Sequence, residues 1–214
     1  QRCIRDRLLQ WSAPEYMPHS FQVSGLSGTV GHKQTGNCFD LTKQVADGFV
    51  GMQELSKGLF LVQSEMAFKR ETELYEEYPE RKVFQLSFCM NGICEWDYRQ
   101  KQGEHYQLSP TQCSLQCGTF SQCVSHFGSE QPYHTLSISL EEGRFSSLTE
   151  DLEAAHLIRR DDKICTHVFS TTPEIRLVLQ QLLDCPPERK LRKLYLEGKV
   201  LELLSLFCDE AIGK

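Results

Sequence analysis

The chain has 214 residues, of which 40% are hydrophobic and 24% charged, and its formal net charge is -6. These values are ordinary for one large or two small globular domains, and the length is enough for a buried core. The negative charge argues against a dominant nucleic-acid-binding surface, although a local basic patch stays open. No apolar run reaches the roughly 18 residues of a transmembrane helix, so the sequence predicts no membrane span.

The ten cysteines are the unusual feature of the composition. They are too sparse for a disulfide-stapled scaffold, and no two of them form a CxxC pair. Residues 1–20 contain charges and prolines and no apolar run, so we find no secretory signal there. We therefore expect a cytoplasmic protein whose thiols are mostly reduced.

Short alternating runs of apolar and polar residues, separated by turn residues, extend from about residue 21 to residue 140. One such run ends at Asn91-Gly92, and another occupies Ile93–Tyr98. Because Asn-Gly is the strongest short hairpin signal, we expect these two strands to pair. The run from His134 to Leu140 alternates cleanly. About eight to ten such strands predict an antiparallel barrel or sandwich.

The remainder of the chain has helical spacing. A short amphipathic helix is expected over about 143–155. Thr172-Pro173-Glu174 combines a capping hydroxyl, a proline at the first helical position and an acid, which predicts a helix start. Pro186-Pro187 ends that helix, and the short turn before Glu188 predicts a second helix that packs antiparallel to it.

The last predicted helix has a broad apolar side, formed by Leu196, Val200, Leu203, Leu204, Phe207 and Ala211 and widened by Leu194, Leu201 and Cys208. Such a helix is too apolar to stand alone, so it packs on the strands, on a partner or on both. The candidate dimerisation residues are Leu196, Val200, Leu203 and Phe207, which a self-complementary two-fold contact would bury. The alternative is that the same side packs on the strand-rich part of the chain.

Three segments resemble the AraC/XylS family of transcription regulators: Val83–Gly92, Tyr133–Ile138 and Leu194–Leu204. Within that family they are similar to the branch that includes the pyochelin and yersiniabactin regulators. The resemblance covers roughly residues 20–212. The last segment is the most specific, since in the family it normally lies just before the DNA-binding domain.

The resemblance implies an α+β fold in which a cupin-like antiparallel β-barrel of jelly-roll type precedes a helical hairpin, in agreement with the strand-then-helix pattern. The expected divisions are an N-terminal arm over 1–20, an effector-binding barrel over 21–142 and a helical dimerisation and linker region over 143–214. The helix-turn-helix DNA-binding domain would be absent from this chain. We expect a homodimer without cofactor or enzymatic activity, which would reach DNA only through that missing domain.

The resemblance also implies a small-molecule effector, either a ferric siderophore or another small aromatic chelator. The candidate effector contacts occupy alternating strand positions: Phe84, Leu86, Phe88, Trp96, Tyr98 and His134. Aromatic side chains on the inner face of a barrel would form most of a pocket wall. Core packing is the alternative for the aromatic residues, and a hydrogen bond to a neighbouring group is the alternative for His134.

Two other functions remain open. Cys113, Cys117 and Cys123 fall on neighbouring predicted strands, and their thiolates could make a metal or redox sensor of the same scaffold. Cys113 and Cys117 share one strand face if no bulge intervenes, and core filling is the alternative for all three. A cupin-type metalloenzyme, such as a dioxygenase or isomerase, needs clustered histidines and an acid, and the seven histidines include no HxH pair. The sequence shows no nucleophile elbow and no glycine-rich phosphate loop.

Overall fold

The computed structural model of the chain describes residues 20–23, 34–35, 38–40, 46–77, 82–99, 104–119, 122–129, 131–141, 143–144, 146–159 and 163–213. The N-terminal arm expected over 1–20 therefore lies outside the described residues except for Ser20. The strands are β1 (Ser20–Val23), β2 (Gln34–Thr35), β3 (Cys38–Asp40), β4 (Ala46–Ser56), β5 (Leu59–Phe68), β6 (Thr72–Glu77), β7 (Lys82–Asn91), β8 (Cys94–Tyr98), β9 (His105–Leu108), β10 (Gln112–Thr119), β11 (Gln122–Phe127), β12 (Pro132–Leu140) and β13 (Cys165–Ser170). The helices are α1 (Ser146–Ala154), α2 (Pro173–Leu183) and α3 (Arg192–Ile212).

The strands form two antiparallel sheets that face each other. The large sheet has the order β13-β10-β7-β12-β5-β4-β3-β2, and the small sheet has the order β1-β6-β11-β8-β9. Aromatic side chains join the two: Phe68 of the large sheet stacks on Phe127 of the small sheet with ring centroids 4.4 Å apart, and Tyr133 meets Phe127 edge to face. This double-sheet sandwich is the jelly-roll architecture of cupins. The predicted α+β, cupin-like fold is confirmed.

The predicted pairing of the two strands around Asn91-Gly92 is wrong. The turn itself exists, with Gly92 at a φ of 81°. However, β7 pairs with β10 and β12 in the large sheet, whereas β8 pairs with β9 and β11 in the small sheet. The turn therefore carries the chain from one sheet to the other. Asn-Gly chemistry determines the reversal of the chain, but the pairing partners depend on contacts distant in sequence.

The large sheet packs against the small sheet on one face and against the helices on part of the other. Alternate residues on its outer face pack against the helices: Leu59, Leu61, Phe84, Leu86, Phe88, Cys113, Leu115, Cys117, Leu136, Ile138 and Leu140. The helices contribute Leu152, Ile175, Val178, Leu179, Leu182, Leu196, Val200, Leu203, Leu204, Phe207 and Ala211. Burial of a large aliphatic or aromatic side chain stabilises a fold by about 1.5–3 kcal/mol. The helices thus complete a second core on the side of the large sheet that faces away from the small sheet.

The helix boundaries agree closely with the sequence pattern. Helix α1 lies within the expected range, and α2 begins at Pro173 directly after its N-cap residue Thr172, whose hydroxyl accepts a hydrogen bond from the Ile175 amide at 3.3 Å. Helix α3 begins at Arg192, four residues later than Glu188, after Leu191 in the left-handed conformation with a φ of 56°. No helix in the described part of the chain is long and apolar enough to cross a membrane.

Strand β13 was not expected, because it lies inside the range predicted to be helical. It pairs with β10 along its whole length and forms one edge of the large sheet. Its approach requires a glycine: Gly118 of β10 has a φ of 130°, and a Cβ atom there would lie 2.5 Å from the carbonyl oxygen of Lys163. The strand-rich and helical parts are therefore interleaved in this region.

Candidate ligand-binding cavity

A cavity of about 200 Å³ lies between the two sheets. The large sheet contributes inward-facing residues of β4, β5, β7, β10 and β12, and the small sheet contributes residues of β6, β8, β9 and β11. Strand alternation explains the arrangement, since every second residue of each strand points into the space between the sheets. The two walls have different chemistry.

The wall on the large sheet contains Val50, Val62 and Met66 and a larger polar set, which we call the hydroxyl ladder: Ser64, Gln85, Ser87, Ser114, Gln116, Thr135 and Ser137. The hydroxyl oxygens of Ser87 and Ser137 lie 2.8 Å apart, and Gln85 donates from Nε2 to the Ser87 hydroxyl at 3.0 Å. On the next pair of strands the Ser64 and Thr135 hydroxyls also hydrogen-bond each other. A hydroxyl both donates and accepts, so these side chains can hydrogen-bond one another and can also turn towards a ligand.

The wall on the small sheet is aromatic and apolar: Leu74, Trp96, Tyr98, Leu108, Cys123 and Phe127. Trp96 stacks on Tyr106 with ring centroids 5.6 Å apart and an interplanar angle of 16°, and Tyr106 meets Tyr98 edge to face. Burial raises the pKa of the Tyr98 hydroxyl far above its usual range, so this group stays a neutral phenol. The wall therefore offers flat, uncharged surface.

Charged side chains are nearly absent from the cavity. Of the described residues that line it, Glu95 alone is of a normally charged type. Glu95 is on the face of β8 opposite to Trp96 and Tyr98, and its carboxylate lies 4.0 Å from His105 Nε2. Cys94 also lines the cavity, and a hydrogen bond to the Cys89 thiol together with burial raises the pKa of Cys94, which keeps it protonated. The cavity is therefore suited to an uncharged, largely apolar surface with a few hydrogen-bonding atoms.

Only two of the six candidate effector contacts predicted from the sequence line the cavity. Trp96 and Tyr98 line the cavity. Phe84, Leu86 and Phe88 do not, because their face of β7 packs against the helices, and the alternate residues Gln85 and Ser87 face the cavity instead.

His134 lies on the outer face of the large sheet. Its Nε2 atom is 3.4 Å from Gln63 Nε2 and 3.7 Å from Glu65 Oε1. It does not line the cavity, and its position corresponds to the alternative in which the ring interacts with neighbouring polar groups.

The three cysteines considered as metal ligands, Cys113, Cys117 and Cys123, do not lie together in the structure. Cys113 and Cys117 share one face of β10, as the alternation predicted, and both are buried in the core between the large sheet and the helices. Cys123 lies on β11 and lines the cavity with Trp96 and Tyr98. Because the large sheet stands between these positions, a single metal ion cannot take all three sulfurs as ligands.

The candidate dimerisation residues lie inside the chain. Leu196, Val200 and Leu203 are completely buried and Phe207 is 2% exposed, all in the core between α3 and the large sheet. The sequence allowed this side of α3 to pack either on a partner chain or on the strands of its own chain. In the structure it packs on the large sheet. The exposed apolar residues of α3 are Leu194, Leu201 and Ile212.

The sequence analysis missed the hydroxyl ladder. Its signal is present in the alternation of β7 and β12, where Gln85, Ser87, Thr135 and Ser137 occupy every second position. Such polar positions ordinarily face water. Here the apolar face is used by the helices, so the polar face is left for the cavity.

A second cleft of about 380 Å³ lies beside the cavity and is lined by residues of β9 and β13 and by the segment after α1. It contains Arg159 and Lys163, and Tyr106 forms part of its wall. Since Tyr106 also stacks on Trp96, this aromatic pair lies between the two spaces. Among the described residues, the cleft therefore has cationic groups in its lining and the cavity has none.

Two solved structures share this architecture. The AraC-like transcriptional activator CuxR aligns with a TM-score of 0.53 and 7% identity over 79% of this chain and 56% of that chain. An apo ToxT variant from Vibrio cholerae aligns with a TM-score of 0.51 and 11% identity over 76% of this chain and 59% of that chain. At such identities the similarity shows the fold alone. This chain spans little more than half the length of either structure.

The fold is that of these AraC-like regulators. The family described as "Regulatory protein PchR N-terminal domain" matches residues 47–213, which is most of the chain. The chain belongs to this family. No curated protein sequence matches it.

Proposed function

We propose that this chain is the effector-sensing and dimerisation domain of an AraC-type transcription regulator, and that the effector binds in the cavity between the two sheets. The observation that carries this proposal is the cavity between the sheets, in which the hydroxyl ladder lies opposite an aromatic wall. Buried hydroxyls on an inward sheet face contribute little to a core and much to ligand recognition. Membership of a regulatory-domain family supports the same function.

The two walls define the chemistry of the ligand. Trp96 and Tyr98 favour a flat aromatic ring, and the hydroxyls of Ser87 and Ser137 favour an edge with hydrogen-bond acceptors or donors. The aromatic siderophore that the family resemblance implies has this character. A compact ligand or ligand portion is favoured, since the cavity is smaller than the roughly 300–1,000 Å³ of drug-sized sites.

The strands of the hydroxyl ladder provide a route from the ligand to the helices. In β7, Ser87 faces the cavity and its neighbours Leu86 and Phe88 pack against the helices; in β12, Ser137 and Ile138 are related in the same way. A ligand that changes the position of these strands changes the surface on which α3 rests. Effector binding would thereby shift the balance between two arrangements of sheet and helices. DNA would be contacted by a separate C-terminal domain of a cytoplasmic regulator.

The proposal is tested by thermal unfolding of the chain with a panel of ligands: an aromatic siderophore with and without iron, small phenolic and heteroaromatic acids, and their neutral amides. A ligand present at 100 times its Kd is expected to raise Tm by about 5–10 °C. Stabilisation by the free aromatic compound but not by its ferric complex would support the cavity as the binding site and would exclude the ferric complex as the effector. No stabilisation by any member of the panel would contradict a site for this class of ligand.

We further propose that dimerisation uses the outer side of α3. The side that faces solvent carries Leu194, Leu201 and Ile212, spaced so that they share one stripe with Gly198 and Ser205. A Cβ atom on Gly198 would meet nothing within 4 Å, so the middle of the stripe is open to close approach. Apolar residues at this spacing on both copies suit a two-fold helix contact.

Leu201→Glu is expected to convert the dimer to a monomer without unfolding the chain. In a two-fold contact the new carboxylate of one protomer would lie close to the same carboxylate of the other, and the two charges would repel each other in apolar surroundings. Leu177→Glu is the matched control, since Leu177 is 62% exposed and belongs to a different helix, α2. Sedimentation or light scattering over a concentration series measures the effect. A dimer that withstands Leu201→Glu, or that is lost equally in Leu177→Glu, would contradict the outer stripe as the interface.

A further inference from the structure

A second group of chemically active side chains lies on the outer face of the small sheet, away from the cavity. Asp97 lies between two histidines: its Oδ1 atom is 3.0 Å from His105 Nδ1, and its Oδ2 atom is 2.6 Å from His126 Nε2. One ligand atom from each of the three residues lies within 4.8 Å of the other two. The group is partly open to solvent, with Asp97 38% and His126 30% exposed in their side chains.

Strand register brings these residues together. β9, β8, β11 and β6 are consecutive in the small sheet, and His105 is directly opposite Asp97 across the β8–β9 ladder. His126 is opposite Glu95 on one side and opposite Glu73 on the other. Because residues on one face repeat every two positions, all five side chains project outward from the same face.

Each histidine has a second carboxylate at its other ring nitrogen. Glu73 Oε1 lies 3.8 Å from His126 Nδ1, and Glu95 Oε1 lies 4.0 Å from His105 Nε2. The Tyr75 hydroxyl in turn donates to Glu73 Oε2 at 2.6 Å and orients that carboxylate. A histidine whose free ring nitrogen faces a carboxylate is the usual arrangement around protein-bound zinc, since it selects the tautomer and increases the basicity of the ligand nitrogen.

We propose that Asp97, His105 and His126 bind a divalent transition-metal ion of the zinc class on the outer face of the small sheet. Two imidazoles and one carboxylate are a typical three-residue ligand set for such an ion, with water at the fourth position. Glu73 and Glu95 lie at ion-pair distance from the other ring nitrogens of the two histidines and would orient the imidazoles. The three ligands do not line the effector cavity, and Asp97 is on the face of β8 opposite to Trp96 and Tyr98. Of the five residues of the group, only Glu95 also borders the cavity.

The observed geometry is close to what such an ion requires. Metal–ligand bonds of about 2.0–2.1 Å in a tetrahedral site hold the ligand atoms about 3.3 Å apart. Here the two Asp97 oxygens are 3.0 Å and 2.6 Å from the two histidines, and one ligand atom from each residue lies within 4.8 Å of the others, so side-chain rotation would bring the three ligands onto one ion. On binding, His126 Nε2 exchanges its hydrogen bond to Asp97 for the metal, and its ring proton then resides on Nδ1, where it faces Glu73.

The experiment is calorimetric titration of the 214-residue chain with Zn²⁺ near neutral pH, together with the absorption spectrum of the Co²⁺ form. We expect one ion per chain and a Co²⁺ spectrum without thiolate-to-metal charge transfer, which excludes binding by the cysteines. His126→Gln and Asp97→Asn are expected to abolish this binding. Glu73→Gln keeps all three ligands and is expected to weaken the affinity roughly 10- to 100-fold.

His134→Gln is the matched control. His134 also lies beside a glutamate on an outer sheet face, but it does not belong to the group of Asp97, His105 and His126. The substitution should leave the Zn²⁺ affinity unchanged, and circular dichroism establishes that each variant is folded. Absence of binding in the unsubstituted chain would overturn the proposal. So would binding that persists in both His126→Gln and Asp97→Asn, or a Co²⁺ spectrum dominated by thiolate bands.

Discussion

Ser137→Leu is expected to weaken effector binding about 100-fold while the chain remains folded. Ser137 is 8% exposed, lines the cavity from β12 and shares a 2.8 Å hydrogen bond with Ser87. A leucine side chain would occupy part of a cavity of only about 200 Å³ and remove the polar partner at the centre of the hydroxyl ladder. Calorimetric titration with the ligand that stabilises the unsubstituted chain measures the change.

Ser137→Ala separates the two causes. It removes the hydroxyl without filling the cavity, and Ser87 keeps the hydrogen bond from Gln85 at 3.0 Å. The loss of one neutral hydrogen bond costs about 1 kcal/mol, so we expect about fivefold weaker binding. If Ser137→Leu binds the effector as tightly as the unsubstituted chain, the ligand does not enter the space between the sheets.

Phe207→Ala is expected to lower the free energy of unfolding by about 3–5 kcal/mol. Phe207 is 2% exposed on the inner side of α3, and its ring meets that of Phe169 on β13 edge to face with centroids 5.3 Å apart. The substitution removes this aromatic pair and leaves a cavity where α3 packs on the sheet. Urea unfolding monitored by circular dichroism gives the value.

Leu177→Ala is the control for this experiment, because Leu177 is 62% exposed and a surface truncation changes stability by about 0.5 kcal/mol or less. The result also decides between the two locations that the sequence allowed for the apolar side of α3. If Phe207→Ala abolished the dimer and left the stability of the monomer unchanged, the inner side of α3 would contact a partner chain and not the sheet of its own chain.

The helices were largely predictable because their signals are local. The proline and the capping hydroxyl at Thr172-Pro173 set the start of α2, and the structure contains the expected hydrogen bond to Ile175. The role of each helix side was not predictable. Helix α3 is apolar at Leu196 and Leu203 and also at Leu194 and Leu201, and periodicity alone cannot tell which pair faces the sheet.

The strands were recognisable from the alternation of apolar and polar residues. The alternation did not show which face of each strand lines the cavity. In β7, Phe84, Leu86 and Phe88 form the apolar set and Gln85 and Ser87 the polar set. An interior of aromatic residues and a polar exterior is the ordinary expectation for a barrel strand. The helices cover the apolar set here, so the polar set lines the cavity, and only two of the six expected effector contacts, Trp96 and Tyr98, lie there.

The histidine cluster shows the same limit for residues far apart in sequence. Asp97, His105 and His126 form no motif, because 8 and 21 residues separate the successive members. Their proximity depends on the order of β6, β11, β8 and β9 in the small sheet and on the register of each pair. Neither can be read from one strand alone, just as the Asn91-Gly92 turn did not reveal that its two strands enter different sheets.

The sequence by itself determined the succession of strands and helices, the capped start of α2 and the segments that resemble AraC-type regulators. These features depend on spacing and on backbone chemistry within a few residues. The tertiary structure alone decided which face of β7 and β12 lines the cavity, which side of α3 is free and which histidines meet. The physical reason is that a strand or helix with two usable faces chooses between them by what covers it, and the covering elements come from distant parts of the chain.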